Sequence, residues 1–386
     1  MKRVGLYWLV FPLLNQGRRI AWTGMDGGGI PFINAWPKEL IASKQGGEMR
    51  LTLKNGSVIQ IMGADSPDRA VGANPVGMVF SEYSLCDPSI WKLTSPILAE
   101  NNGWAIFNGT PRGENHFYDE LQKTKTNPNW FGSHLTCKDT KAVTPQALEE
   151  ARKELGDEAL FQQEFFTSFN SPLQGAYYAQ QMKQLSSQDR FLDNITPDPK
   201  LDVHTAWDIG VSDSTAIWFY QQYGTEIRIV DFYECSGEGL PFYIRYLRQW
   251  QNDHGTVYGR HYAPHDIKVT EFTSGKTRYE TARQLGIKFS IVQKHGLEDG
   301  IEQARNLLPR CWFDKTKCDL GINALKSYRK EYDSLRKVFK PKPLHDWSSH
   351  AADAFRYLAW GFRDNKRRDA RERSKKTYQA TYSIFD

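Results

Sequence analysis

The sequence predicts an α/β protein in two parts, each built on its own sheet. Three observations carry this expectation. Apolar runs of strand length recur through the first 110 residues, interrupted by turn and helical stretches. Near Leu201 three longer apolar strands follow one another through short turns, and helix and strand then alternate. Between the two regions lies a helical and then proline-bearing stretch. The 386 residues suffice for two domains that each bury a core. An apolar content of 40% with 13% aromatic excludes a disordered chain, and no apolar run reaches membrane-spanning length, so no membrane partner is expected.

The first part begins with VGLYWLVFP, a buried strand. Its basic-then-apolar start is not read as a signal peptide, because Pro12 follows a short run and no small-residue cleavage site precedes Asn15-Gln16-Gly17-Arg18-Arg19. MRLTLKNGSVIQIMG holds two alternating strands around Asn55-Gly56, a hairpin signal because both turn positions favour positive φ. GMVFSEY and WAIFNGTPRG are further apolar runs, the first ending in a carboxylate and the second in Gly109-Thr110-Pro111. Such strands predict a largely parallel buried sheet whose ligands gather at the strands' carboxyl ends. Thr144-Pro145 opens a helix that breaks at Gly156 and resumes. The stretch from Ser171 to Asp202, with Pro172, Pro197 and Pro199, reads as a linker. The expected divisions are residues 1–140, a helical linker over 141–200, a second domain over 201–362 and a basic tail over 363–386.

In the second part VHTAWDIG, STAIWFYQQY and EIRIVDFYEC are successive strands. A helix (LPFYIRYLRQWQ), a strand (VYGRHYAPHD), a helix (TRYETARQLG), a strand (IKFSIVQK) and further helices running to AADAFRYLAWGF follow. Three meander strands and then alternating helix and strand is the order of ribonuclease H-like folds. There are no internal repeats.

That order gives three aspartates a common meaning. Asp208 ends the first meander strand, Asp266 ends a later strand, and Asp353 starts the last helix. In this topology the three ends converge, and the carboxylates would hold two Mg²⁺ or Mn²⁺ ions about 4 Å apart for phosphodiester hydrolysis. Asp213 is a fourth candidate ligand, and His350, one helical turn before Asp353, would orient water or a phosphate. Each aspartate alone is equally a turn or helix-cap residue; all three in the right order of elements favours the metal. His345, Asp346 and His350 form a weaker pattern, read as satisfied polar residues.

Five cysteines are scattered without CxxC spacing, which fits a reducing compartment and offers no zinc site. Residues 363–376, with eight basic and three acidic side chains, account for the net charge of +5. That tail is read as a solvated extension or a nucleic-acid contact.

Several blocks in sequence order resemble the large subunit of tailed-phage terminases: VGLYWLVFP with NQGRRIAW, NPVGMVFSEYSLCDP, WAIFNGTPRGENHFY, DIGVSDST, PHD with SGKTRYET, and DWSSHAADAFRYLAWG. The resemblance covers nearly the whole chain. It implies a P-loop-type ATPase domain followed by a ribonuclease H-like nuclease domain, acting on double-stranded DNA with a small terminase subunit and a portal protein, as an oligomer on the portal in the host cytoplasm. It implies that Glu82 orients the water attacking ATP, that Thr110 couples hydrolysis to movement, and that Asp208, Asp266 and Asp353 are the nuclease's metal ligands. Ser81 departs from the aspartate that many P-loop proteins carry beside this glutamate.

A P-loop would precede GLYWLVFP in the family, and that strand, loop and helix are not in this sequence. Gly27-Gly28-Gly29 is no substitute, because no Lys-Ser/Thr follows. Ser274-Gly275-Lys276-Thr277 is a decoy: Thr270 stands where the first glycine belongs and no apolar strand leads into it. Lys276 and Arg278 are instead read as DNA-phosphate contacts. The expectation is a chain truncated before its P-loop, binding ATP only if another segment supplies one, with the ATPase sheet losing a central strand and exposing apolar edges. The alternatives are another ribonuclease H-like nuclease and a non-catalytic prophage remnant that binds DNA or capsid partners.

Overall fold

The structure is a computed structural model that describes residues 3–169, 173–210, 214–269, 275–333 and 338–363. The chain divides into two compact units, Met1–Gln174 and Gly175–Asp386.

The first unit carries a six-stranded sheet of β1 (Leu6–Phe11), β2 (Ile41–Gln45), β3 (Arg50–Leu53), β4 (Val58–Gly63), β5 (Pro75–Phe80) and β6 (Trp104–Phe107), in the order β2-β3-β4-β1-β5-β6. β1 lies at its centre, pairing in parallel with β4 and β5, and its near-continuous apolar run suits a strand covered on both faces. β3 and β4 form the expected hairpin, with Gly56 at φ 87° supplying a left-handed turn position. The sheet is mixed rather than largely parallel, because β2 and β3 extend it antiparallel at one edge. β2 escaped the sequence reading because four of its five residues are exposed, so no apolar alternation marks it. The expected open central edge is not found: β5 is hydrogen-bonded by β1 on one side and by β6, in parallel, on the other. The exposed edge is β6 itself, where Trp104 and Ile106 are about half exposed, 47% and 50%.

The second unit carries a seven-stranded sheet. Its strands are β7 (Phe191–Leu192), β8 (Val203–Ile209), β9 (Thr215–Tyr223), β10 (Glu226–Cys235), β11 (Tyr258–Ala263), β12 (Phe289–Ile291) and β13 (Cys311–Asp314). Their order is β12-β11-β8-β9-β10-β13-β7. β8, β9 and β10 form the predicted antiparallel meander, and β11 joins β8 in parallel, so β8 is paired on both sides. A separate hairpin pairs β14 (Lys330–Asp333) with β15 (Val338–Pro343).

Residues alternate between two cores. On one face Trp218 and Tyr220 of β9 meet Phe313 and Phe355; on the other Ile217 and Phe219 meet Leu247 and Trp250 of the Leu240–His254 helix. The first core is closed by a helix over 349–363, which runs into residues beyond those described. The Trp218 indole donates to the Ala351 carbonyl at 2.8 Å, and Gly361 leaves room for the Tyr262 ring, 2.4 Å from where a Cβ would stand. Small residues thus let the helix lie close to the sheet.

The 141–200 segment is not a separate linker. Helices Pro145–Leu155 and Glu158–Phe166 belong to the first unit, while helix Ala179–Ser187 and β7 belong to the second. Of the tail expected over 363–386, only Arg363 is among the described residues.

One buried polar chain ties β8 to β11. The Trp207 indole donates to the Thr205 hydroxyl at 2.7 Å, and that hydroxyl lies 2.7 Å from Nδ1 of His261. Burial lowers the His261 pKa to about 4, with the neighbouring His204 charge adding to the effect. The unfolded chain therefore takes up this proton first as the pH falls below about 6.5. Stability from this group is full above that pH and is lost progressively toward pH 4, by roughly 3 kcal/mol at most. Urea midpoints at pH 7.5 and 5 should differ more for the wild type than for His261→Gln; equal differences would contradict it.

Candidate functional site

Asp208 is the penultimate residue of β8, where the strand leaves the core, and its side chain is 19% exposed. Its Oδ2 lies 3.2 Å from Nδ1 of His350, in the first turn of the 349–363 helix. Burial raises the Asp208 pKa and the Asp353 charge adds to the rise, while the His350 hydrogen bond opposes it. The carboxylate is thus poorly solvated and short of positive charge, a setting that favours a cation.

Asp353 does not start the helix. It lies in the second turn, because Asp346 performs the capping: its Oδ1 accepts from the Ser348 backbone N–H and hydroxyl at 3.0 and 2.6 Å. Asp346 also pairs with Arg329 at 3.3 Å, so this member of the weak His/Asp pattern has a structural task. Asp353 Oδ1 accepts from Arg356 Nη2 at 2.5 Å and Nε at 3.2 Å, and from the Tyr328 hydroxyl at 3.3 Å.

Asp266 sits in the turn His265–Lys268 that follows β11, and it is exposed. The Tyr357 hydroxyl links all three carboxylates. Burial pushes its pKa up, the charges of Asp208, Asp353 and Asp266 push it further, and Arg356 opposes them. The three aspartates therefore share one electrostatic neighbourhood. Asp213 lies outside the described residues.

Arg278 opens the Arg278–Gln284 helix and donates to the Ile209 carbonyl at 3.1 Å, bringing a cation to the end of the Asp208 strand. Lys276 is exposed, 3.4 Å from Gln284 Oε1. Thr277 caps that helix in a reciprocal pair with Glu280, which gives the SGKT decoy a structural explanation.

The donor set of carboxylate oxygens and one imidazole suits a hard divalent cation. Among the described residues, however, no three such side chains stand close enough together to hold an ion as placed. Sequence reasoning missed Arg356, Tyr328 and Tyr357. Arg356 was findable, because it lies three residues from Asp353 on one helix face.

In the first unit Glu82 and Thr110 meet at the carboxyl ends of β5 and β6. Glu82 has φ 53°, and the following Tyr83 N–H donates to the Asn108 carbonyl at 3.0 Å. The Ser84 hydroxyl donates to the Thr110 carbonyl at 2.7 Å. Gly109, at φ 154°, permits this contact: a Cβ there would stand 3.0 Å from Glu82 Cα. Among the described residues of this unit no glycine-rich loop followed by Lys-Ser/Thr joins a strand to a helix.

No family model matches the chain. The terminase large subunit of Escherichia phage T5 is 25% identical over 323 residues, covering 80% of this chain and 70% of that protein. The chain is a relative of the terminase large subunits. Among solved structures, the large terminase of a thermophilic bacteriophage aligns with 92% of this terminase relative and 86% of its own length, at 17% identity and a TM-score of 0.38. The large terminase nuclease domain of bacteriophage SPP1 with bound Mn covers 45% of this chain and 95% of its own, at 16% identity and a TM-score of 0.34.

Gly109→Ala should destabilise the first unit by about 1–3 kcal/mol, through both the backbone angle and the approach to Glu82. Chemical denaturation checks this, and an unchanged midpoint would contradict the close approach.

Proposed function

We propose that this chain cuts double-stranded viral DNA as a terminase large subunit, by metal-dependent phosphodiester hydrolysis in its second unit. Asp208, Asp266 and Asp353 would hold Mg²⁺ or Mn²⁺, with Asp213 as a further ligand. The ions would supply an activated water and stabilise the leaving oxygen. The single observation carrying the reading is that the three carboxylates, from two strand ends and one helix, all bear on the Tyr357 hydroxyl.

The remaining roles belong to the chain's own side chains. His350 holds Asp208 by one oxygen and can carry a proton at its other ring nitrogen. Lys276 and Arg278 supply positive charge for phosphates near the end of β8. Contacts of this kind give little base preference, so cutting would be nearly independent of sequence. Glu82 and Thr110 would serve ATP chemistry only where another segment supplies a phosphate cradle. The small terminase subunit and portal protein are the partners this reading entails.

Purified full-length protein should convert supercoiled plasmid to open and linear forms with Mn²⁺, and EDTA should stop it. Asp208→Asn should slow the conversion by about 100-fold or more. An Asp208→Asn protein that cuts as fast as the wild type would sink the assignment.

A further inference from the structure

The Arg356–Asp353 pair is the least economical feature of the second unit if packing were its only purpose. Arg356 is 7% exposed, on a helix whose neighbouring Phe355 and Leu358 are fully buried. Burying a guanidinium is costly unless a partner compensates for lost water, and an apolar residue of similar volume would often do as well. The compensation has a definite direction. Nε and Nη2 of Arg356 and the hydroxyl of Tyr328 all donate to the same oxygen, Oδ1 of Asp353.

The second donor is itself held. Tyr328 is fully buried, and its ring packs against Tyr177 at 5.1 Å and Tyr178 at 5.8 Å between centroids. A planar guanidinium donating from two nitrogens fixes a carboxylate in a way that an ammonium does not. Fixing Oδ1 also fixes the direction of Oδ2, on a residue whose charge already bears on Asp208.

We propose that Arg356 and Tyr328 are positioning residues that clamp Oδ1 of Asp353, so that Oδ2 is presented to a divalent cation shared with Asp208. This rests on the nuclease reading above. Groups that hold a metal ligand from behind commonly change metal affinity by 10–100-fold when removed. The opposite role, in which Arg356 is an internal cation that metal must displace, predicts the reverse sign.

Mn²⁺ binding to the full-length protein, followed by the electron paramagnetic resonance signal of free Mn²⁺, separates these cases. Tyr328→Phe keeps the buried ring and removes only the hydroxyl; Arg356→Lys keeps the charge and removes the planar fork. The Mn²⁺ dissociation constant should rise about 10-fold in Tyr328→Phe and about 10–100-fold in Arg356→Lys. Thermal unfolding of the metal-free proteins reports whether each variant folds, and if Arg356→Lys does not, Tyr328→Phe decides. Folded variants that bind Mn²⁺ within about twofold of the wild type, or more tightly, overturn the proposal. Binding that is lost in Asp208→Asn but indifferent to both variants leaves the nuclease reading standing and removes only the clamp. A wild type that binds no Mn²⁺ overturns both.

Discussion

Everything proposed for the second unit depends on how closely the 349–363 helix lies on the seven-stranded sheet. Its inward face is built from Ala351, Ala352, Ala354, Phe355 and Leu358, all fully buried. The small side chains let the backbone approach, and Phe355 meets the Trp218 ring edge-on at 5.7 Å. The indole hydrogen bond to Ala351 then sets the helix along its own axis. With that fixed, His350 reaches Asp208 from the first turn and Asp353 follows one turn later. Displacement of the helix by a single turn would leave the β8 carboxylate without either neighbour.

The electrostatics follow from this packing. Strand ends and helix starts are where backbone regularity stops, so they can present carboxylates without disrupting the core. Bringing several together raises their mutual repulsion, which Asp208 registers as a raised pKa. Arg356 offsets part of that repulsion from within the fold and His350 another part at the mouth. The remaining deficit of positive charge is what gives the cluster its affinity for a cation. The same geometric logic recurs in the first unit, where Gly109 allows two strand ends to bring Glu82 and Thr110 together.

Much of this was legible in the sequence because the signals were local. The meander announces itself through long apolar strands, the hairpin through Asn55-Gly56, and the helices after residue 144 through Thr144, Pro145 and Gly156. Asp208 could be placed on its strand because the apolar run stops beside it. What escaped was non-local or weakly patterned. β2 is almost wholly exposed, β7 has two residues, and β13 is a four-residue strand recruited to a sheet edge by pairing with β10. The helix start was misjudged because Asp353 and Asp346 are both plausible caps and only the fold selects Asp346. Tyr328 lies 25 residues from the carboxylate it holds, a separation that no spacing rule detects.

The central claim is that carboxylates from three separate elements form one divalent-cation site held in place by Arg356. Anomalous diffraction from crystals soaked in Mn²⁺ tests it most directly. The account predicts a manganese peak between Asp208 and Asp353, coordinated through Oδ2 of Asp353 while Oδ1 stays on Arg356. Manganese bound away from these residues, or Asp353 released from Arg356 in the metal-bound crystal, would contradict it.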